Sequence, residues 1–99
     1  MAAISRYIIV KAPPGKGGEV ERVWKQECAP LMLRIKGCLR EELLRGREDP
    51  SEYISVAEWD SQAAIDAYLA SPEHEQIKQH TRGLTGMAAT VKTYEVVGG

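Results

Sequence analysis

The side chains best equipped for chemistry crowd into one stretch of this sequence, between Glu58 and Arg82. Trp59 and Tyr68 bring an indole and a phenol, Lys78 an ammonium, and His74 and His80 two imidazoles. Imidazole titrates near neutral pH, so either histidine can take a proton from a weak acid there. Each residue also has a purely structural use. Trp59 can anchor the junction between a strand and a helix. His74, just past a helix start, can cap or pack. His80 comes three positions after Ile77, on or beside an apolar stripe, and can be a satisfied boundary histidine. Tyr68, next to Leu69, can be core with its hydroxyl tied to a backbone group.

Other constellations fail on spacing. Pro13-Pro14-Gly15-Lys16-Gly17-Gly18 precedes a helix but lacks the Gly-x4-Gly-Lys-Ser/Thr pattern of a phosphate loop, so it reads as a turn. Gly98-Gly99 matches the end of ubiquitin-like sulfur carriers, but those begin with a hairpin and this chain goes from strand to helix; the pair is expected to be a frayed tail. Cys28 and Cys38, with no Cys-x-x-Cys, fit neither a zinc knuckle nor a disulfide framework and read as two reduced, partly buried thiols. The sequence contains no Phe and no Asn, which excludes any mechanism that needs an asparagine of this chain.

Composition narrows the class. The 99 residues hold one domain and one core. Apolar residues at 43% and charged ones at 27% are ordinary for a globular domain. A formal net charge of -1 offers nothing to nucleic acid or to anionic lipid. No apolar run approaches the roughly 20 residues of a membrane span, and Arg6 and Lys11 interrupt the only stretch that could serve as a signal peptide. The expected setting is cytoplasmic.

The elements that must position the candidates follow from pattern. Ile4 to Lys11 is rich in β-branched residues and reads as a strand, stopped by Pro13-Pro14-Gly15. From about Gly18, Val20, Val23, Trp24, Leu31 and Ile35 recur at helical spacing, with Glu19 and Glu21 suited to the first turn. Pro30 predicts a kink or break in this helix, and Gly37 is expected to end it. Cys38 to Arg45 and Tyr53 to Asp60 form a hairpin across Gly46, Asp49, Pro50 and Ser51. Ser61 caps a helix over Gln62 to Ala70. Ser71-Pro72 starts another, running to about Arg82 and ended by Gly83 and Gly86. Thr90 to Val97 is the last strand.

This order, βαββαβ, is the ferredoxin-like α+β plan, two helical segments on one face of a four-stranded antiparallel sheet. RNA-recognition domains share it, but the third strand lacks their basic-glycine-aromatic run and the chain is slightly acidic. Strand alternation adds a further expectation. Ile4, Ile8 and Val10 point one way and Tyr7 and Ile9 the other; Ile54 and Val56 oppose Tyr53, Ala57 and Trp59; Val91 and Val97 oppose Tyr94 and Val96. Both faces are partly apolar, and the helices suffice for one. Face-to-face pairing with a second copy would cover the other, so a homodimer is expected.

Trp59-Asp60-Ser61, Ala67-Tyr68-Leu69 and Ser71-Pro72-Glu73-His74, at this spacing and with Gly37-Cys38 before the second strand, resemble the antibiotic biosynthesis monooxygenase family across essentially the whole chain, 1–99. The resemblance implies a dimeric α+β barrel with a pocket between sheet and helices. Some members are cofactor-independent monooxygenases of quinols or other polyphenols, in which the substrate's own electron-rich anion passes an electron to oxygen. For that chemistry the resemblance makes His74 or His80 the base for a phenol, with Tyr68 catalytic beside it. Trp59 and Tyr68 would stack on or hydrogen-bond the ring, Arg6 would hold an anionic oxygen, and His80 and Lys78 would complete the substrate contacts.

Another branch of the family binds and breaks down haem. It uses an Asn on the first strand, a Trp where this chain has Tyr68, and an axial His where this chain has Lys78. A protonated lysine is a poor ligand and no Asn exists, so haem ranks third. The leading expectation is cofactor-free oxidation of a small phenolic or quinol-type aromatic, with no cofactor and no metal. Its rival is a dimer that binds a small aromatic ligand without turning it over. Whether His74, Tyr68 and Arg6 converge on one cavity is the observation that bears most directly on the choice.

Overall fold

In the computed structural model, which describes residues 2–81 and 89–98, the strands stand close to where the apolar alternation puts them. β1 (Ile4–Lys11), β2 (Cys38–Arg45), β3 (Glu52–Trp59) and β4 (Thr90–Glu95) form one antiparallel sheet in the order β2-β3-β1-β4. With α1 (Gly17–Val23), α2 (Ala29–Met32), α3 (Gln62–Leu69) and α4 (Pro72–Thr81), this is the ferredoxin-like α+β arrangement. Asp49 closes the β2–β3 hairpin by accepting from both the backbone N–H and the hydroxyl of Ser51, at 3.0 and 2.6 Å. No helix among the described residues is long and apolar enough to cross a membrane.

The first helical segment departs from its expected shape. α1 widens into a π-helical turn at Trp24–Cys28, and α2 restarts at Ala29 with Pro30 in its first turn. A proline there gives up an N–H that needs no helical partner, which is how the chain accommodates the break expected at Pro30. α2 also stops at Met32, five residues before Gly37. Gly37 instead takes a positive φ of 93° directly before β2, where a Cβ would run into the side chain of Ala64. Its job is to let β2 pass close under α3, not to cap a helix. The expected helix-ending Gly83 and Gly86 lie outside the described residues.

Directly opposed residues of an antiparallel pair share a face. Ile4, Arg6, Ile8 and Val10 oppose Trp59, Ala57, Ser55 and Tyr53 and look towards the helices. Trp59, fully buried, packs with Ala57, Ile65, Tyr68 and Met32 to hold α2 and α3 on the sheet. On the far side Tyr7 opposes Val56 and Ile9 opposes Ile54, with Leu44 beside Ile54 on β2. Tyr94 lies edge-on to Tyr7 at 5.3 Å and is half exposed. No described helix covers this apolar band.

Candidate functional site

Between the helix-facing side of the sheet and the helices lies a cavity of about 290 Å³. Its walls are mostly apolar, with Ile8, Val10, Val20, Val23, Met32 and Leu43 among them. A cavity of about 150 Å³ takes a single benzene, so this one matches an aromatic of about two fused rings. Arg6, Glu41, Ser55, Tyr68, His74 and Lys78 place polar groups into that lining.

His74 owes its position to the start of α4. Ser71 is the N-cap: its hydroxyl accepts from the His74 backbone N–H at 3.3 Å and donates to the Tyr68 carbonyl at 2.5 Å. Pro72 follows at the first helical position, which leaves His74 in the first turn and on the cavity side. Its Nδ1 lies 3.1 Å from the Leu69 carbonyl. A carbonyl only accepts, so Nδ1 carries the hydrogen and Nε2 keeps its lone pair. Burial lowers the proton affinity of His74 below its ordinary value, more than the Leu69 carbonyl restores it. The ring is a neutral base through the neutral range.

Tyr68 lies between His74 and Trp59. Its ring meets His74 edge-on at 5.0 Å and lies tilted over Trp59 at 5.2 Å. The ring is core, but the hydroxyl forms no hydrogen bond with the side chain or backbone of any described residue. Burial raises its ionisation well above the ordinary range against the pull of Arg6, so the phenol stays a donor. Arg6 comes up from β1 into the same lining, its charge opposed chiefly by desolvation.

The structure thus brings His74, Tyr68, Arg6 and Lys78 onto one cavity. The Lys78 ammonium pairs with Glu75 at 2.9 Å. So held, it is a cation without a lone pair for haem iron. Two candidates stand elsewhere. Trp59 is buried behind Tyr68 and anchors the β3–α3 junction, outside the cavity lining. His80 is exposed, not on the core boundary its spacing suggested; its Nε2 faces Glu27 at 3.9 Å, and it does not line the cavity. Among the described residues no three His, Cys, Asp or Glu side chains gather as a metal-binding group.

The lining also holds residues that sequence reasoning did not single out, among them Trp24 from the π-helical turn, Glu41 from β2 and Ser55 from β3. Glu41 Oε1 accepts from Ser55 Oγ at 2.8 Å. Its Oε2 is buried with no hydrogen-bond partner among the described residues. Burial pushes this carboxyl up to about 7, against the opposing pull of Ser55, Trp24 and Arg6. A signal for it exists in the sequence. Glu41 and Glu42 are adjacent on a strand, so one of the two must point towards the helices.

The family model described as antibiotic biosynthesis monooxygenase matches residues 4–80. None of the curated proteins matches this chain in sequence. Among solved structures, a protein of Bordetella bronchiseptica assigned to that family superposes with a TM-score of 0.90 at 20% identity, over 98% of this chain and 99% of that one. SnoaB, a cofactor-independent oxygenase from Streptomyces nogalater solved as a variant with one asparagine replaced by alanine, gives 0.85 at 21% identity, over 100% and 97%. A protein of Caulobacter crescentus assigned to the same family gives 0.84 at 18%, over 98% and 92%. At these identities the superpositions speak for the fold.

Proposed function

As this chain belongs to the antibiotic biosynthesis monooxygenase family, we propose that it is a cofactor-independent monooxygenase of a small phenolic or quinol-type aromatic. The observation that carries the reading is the meeting of His74, Tyr68 and Arg6 on one largely apolar cavity. A neutral imidazole, a phenol that keeps its proton and a guanidinium are what the ionisation of a phenol requires: a base, a donor and a positive charge.

In the proposed reaction His74 Nε2 takes the phenolic proton, and Arg6 and the Tyr68 hydroxyl stabilise the oxyanion. The electron-rich ring passes one electron to O2, and the two radicals combine at a ring carbon ortho or para to the oxyanion. Loss of that carbon's hydrogen breaks the O–O bond. One oxygen atom stays as a new carbonyl, and the other leaves as water with the O–H and C–H hydrogens. Phenol plus O2 then equals quinone plus water, and all the reducing electrons come from the substrate. Dry walls keep the anion reactive and the intermediates from leaking.

The proposal includes a homodimer and a cytoplasmic setting. The uncovered band of Tyr7, Ile9, Leu44, Ile54 and Tyr94 supports the first, because pairing with a second copy would take it out of water. The free thiols Cys28 and Cys38 are in keeping with the second. One observation favours another reading: with no asparagine in the chain, the cavity can hold a small aromatic without oxidising it. Oxygen uptake with a panel of hydroquinones and naphthols, on the parent, His74→Ala and Tyr68→Phe, separates the two. Uptake no faster than in buffer across the panel leaves the binding reading.

A further inference from the structure

Glu41, Ala57 and Arg6 form one row across three neighbouring strands, since Glu41 pairs with Ala57 and Ala57 with Arg6. Strands lie about 4.8 Å apart, so the two charged side chains rise roughly 10 Å from each other on either side of a methyl group. They do not close into an ion pair. Among the described residues Arg6 has neither a hydrogen bond nor a salt bridge. Glu41 Oε2 is buried and makes no hydrogen bond of good geometry, with the Trp24 side chain the neighbouring donor that favours its charge. The carboxyl is nevertheless fixed in orientation by Ser55, which holds Oε1 at 2.8 Å. An oriented, unpartnered carboxyl oxygen in an apolar cavity is costly to the fold unless something donates to it.

Arg6, Tyr68 and His74 belong to the part of the cavity where the proposed phenolic oxygen ionises. Glu41 stands on the other side of Ala57, on β2, and faces a different part of the same ligand. We propose that Glu41 is a second reading point: its free oxygen accepts a hydrogen bond from another ring hydroxyl, so that the site selects aromatic diols over monophenols. The inference rests on the cavity being the site of an aromatic ligand. A monophenol leaves Oε2 without a donor, and that unmet acceptor weakens its binding relative to a diol by about tenfold or more.

Binding in the absence of oxygen tests this, read by calorimetry at pH 8, where the Glu41 carboxyl is ionised. 1-Naphthol and 2-naphthol are compared with the isomeric dihydroxynaphthalenes. The best diol is expected to bind the parent about tenfold tighter than the better naphthol. In Glu41→Leu the preference should shrink to about threefold or less, chiefly because naphthol no longer faces an unmet acceptor and binds more tightly than it does to the parent. The parent comparison needs no variant to fold. A parent that binds every diol no better than naphthol, a preference unchanged in Glu41→Leu, or no binding of any compound at millimolar concentration overturns the assignment. Oxygen uptake is not part of this readout. Diols bound selectively but left unoxidised keep Glu41 in its role and remove the monooxygenase reading; oxidation without diol preference does the reverse.

Discussion

Glu41 makes the stability of this fold depend on pH in a way that one substitution isolates. Its carboxyl sits at about 7 in the folded chain against 4.5 as a free side chain, with desolvation the main cause. The folded state therefore holds the proton more tightly than the unfolded one. Below 4.5 both states are protonated and the group costs nothing; between 4.5 and 7 the unfolded state ionises first and stability falls; above 7 the cost is complete. At about 1.4 kcal/mol per pH unit the full cost is on the order of 3 kcal/mol, of which about 2.5 develops between pH 5 and pH 8. Ser55 and Trp24 face Glu41 as neutral donors and Arg6 as a fixed positive charge; of the titratable neighbours Cys28, Cys38 and Tyr68, burial keeps the thiols and the phenol protonated over that span. Glu41→Gln removes the titration and retains an acceptor for Ser55. Urea unfolding of parent and variant at both pH values gives the change in their difference, from which any constant effect of the amide cancels. The variant should gain about 2 to 3 kcal/mol on the parent from pH 5 to pH 8, about 10 °C or more in Tm for a domain of this size. A difference that is the same at both pH values refutes the buried, proton-binding carboxyl.

Two further predictions concern the frame. Parent protein should sediment as a dimer at micromolar concentration, and Ile54→Lys, which puts a charge in the middle of the uncovered band, should sediment as a monomer; a monomeric parent would end the dimer proposal. Gly37→Ala should destabilise the fold by about 1 to 3 kcal/mol, through its positive φ and the collision with Ala64. Denaturant midpoints within error of the parent would contradict that.

The strands were legible because β-branched residues and period-two alternation survive in β1 and β3, where each residue is committed to one face. The starts of α3 and α4 were legible because Ser61 and Ser71 cap locally, and Ser61 Oγ indeed accepts from the Ala64 N–H at 3.1 Å. Placing His74 depended on that same local signal. The end of the first helical segment was not legible, because Gly37 answers to Ala64, a neighbour brought there only by tertiary packing. Trp59 and His80 went to their places for the same reason: which side of Tyr68 the indole occupies, and which residues of the last turn of α4 face the cavity, are decided by packing. Glu41 was hidden by its neighbour, since Arg40-Glu41-Glu42 looks like a solvated charged run until the register turns one glutamate inward.

Whether the cavity oxidises its ligand is read from oxygen consumption with naphthols and hydroquinones, measured for the parent, His74→Ala and Tyr68→Phe alongside an enzyme-free control. The parent should consume one O2 per substrate and release a quinone. His74→Ala should lose a factor of about 100 in kcat, and the acid limb of the parent's pH profile should lie below the ordinary imidazole range, since burial lowers the proton affinity of His74. Uptake equal to the control, or a His74→Ala variant as fast as the parent, would contradict the proposed reaction.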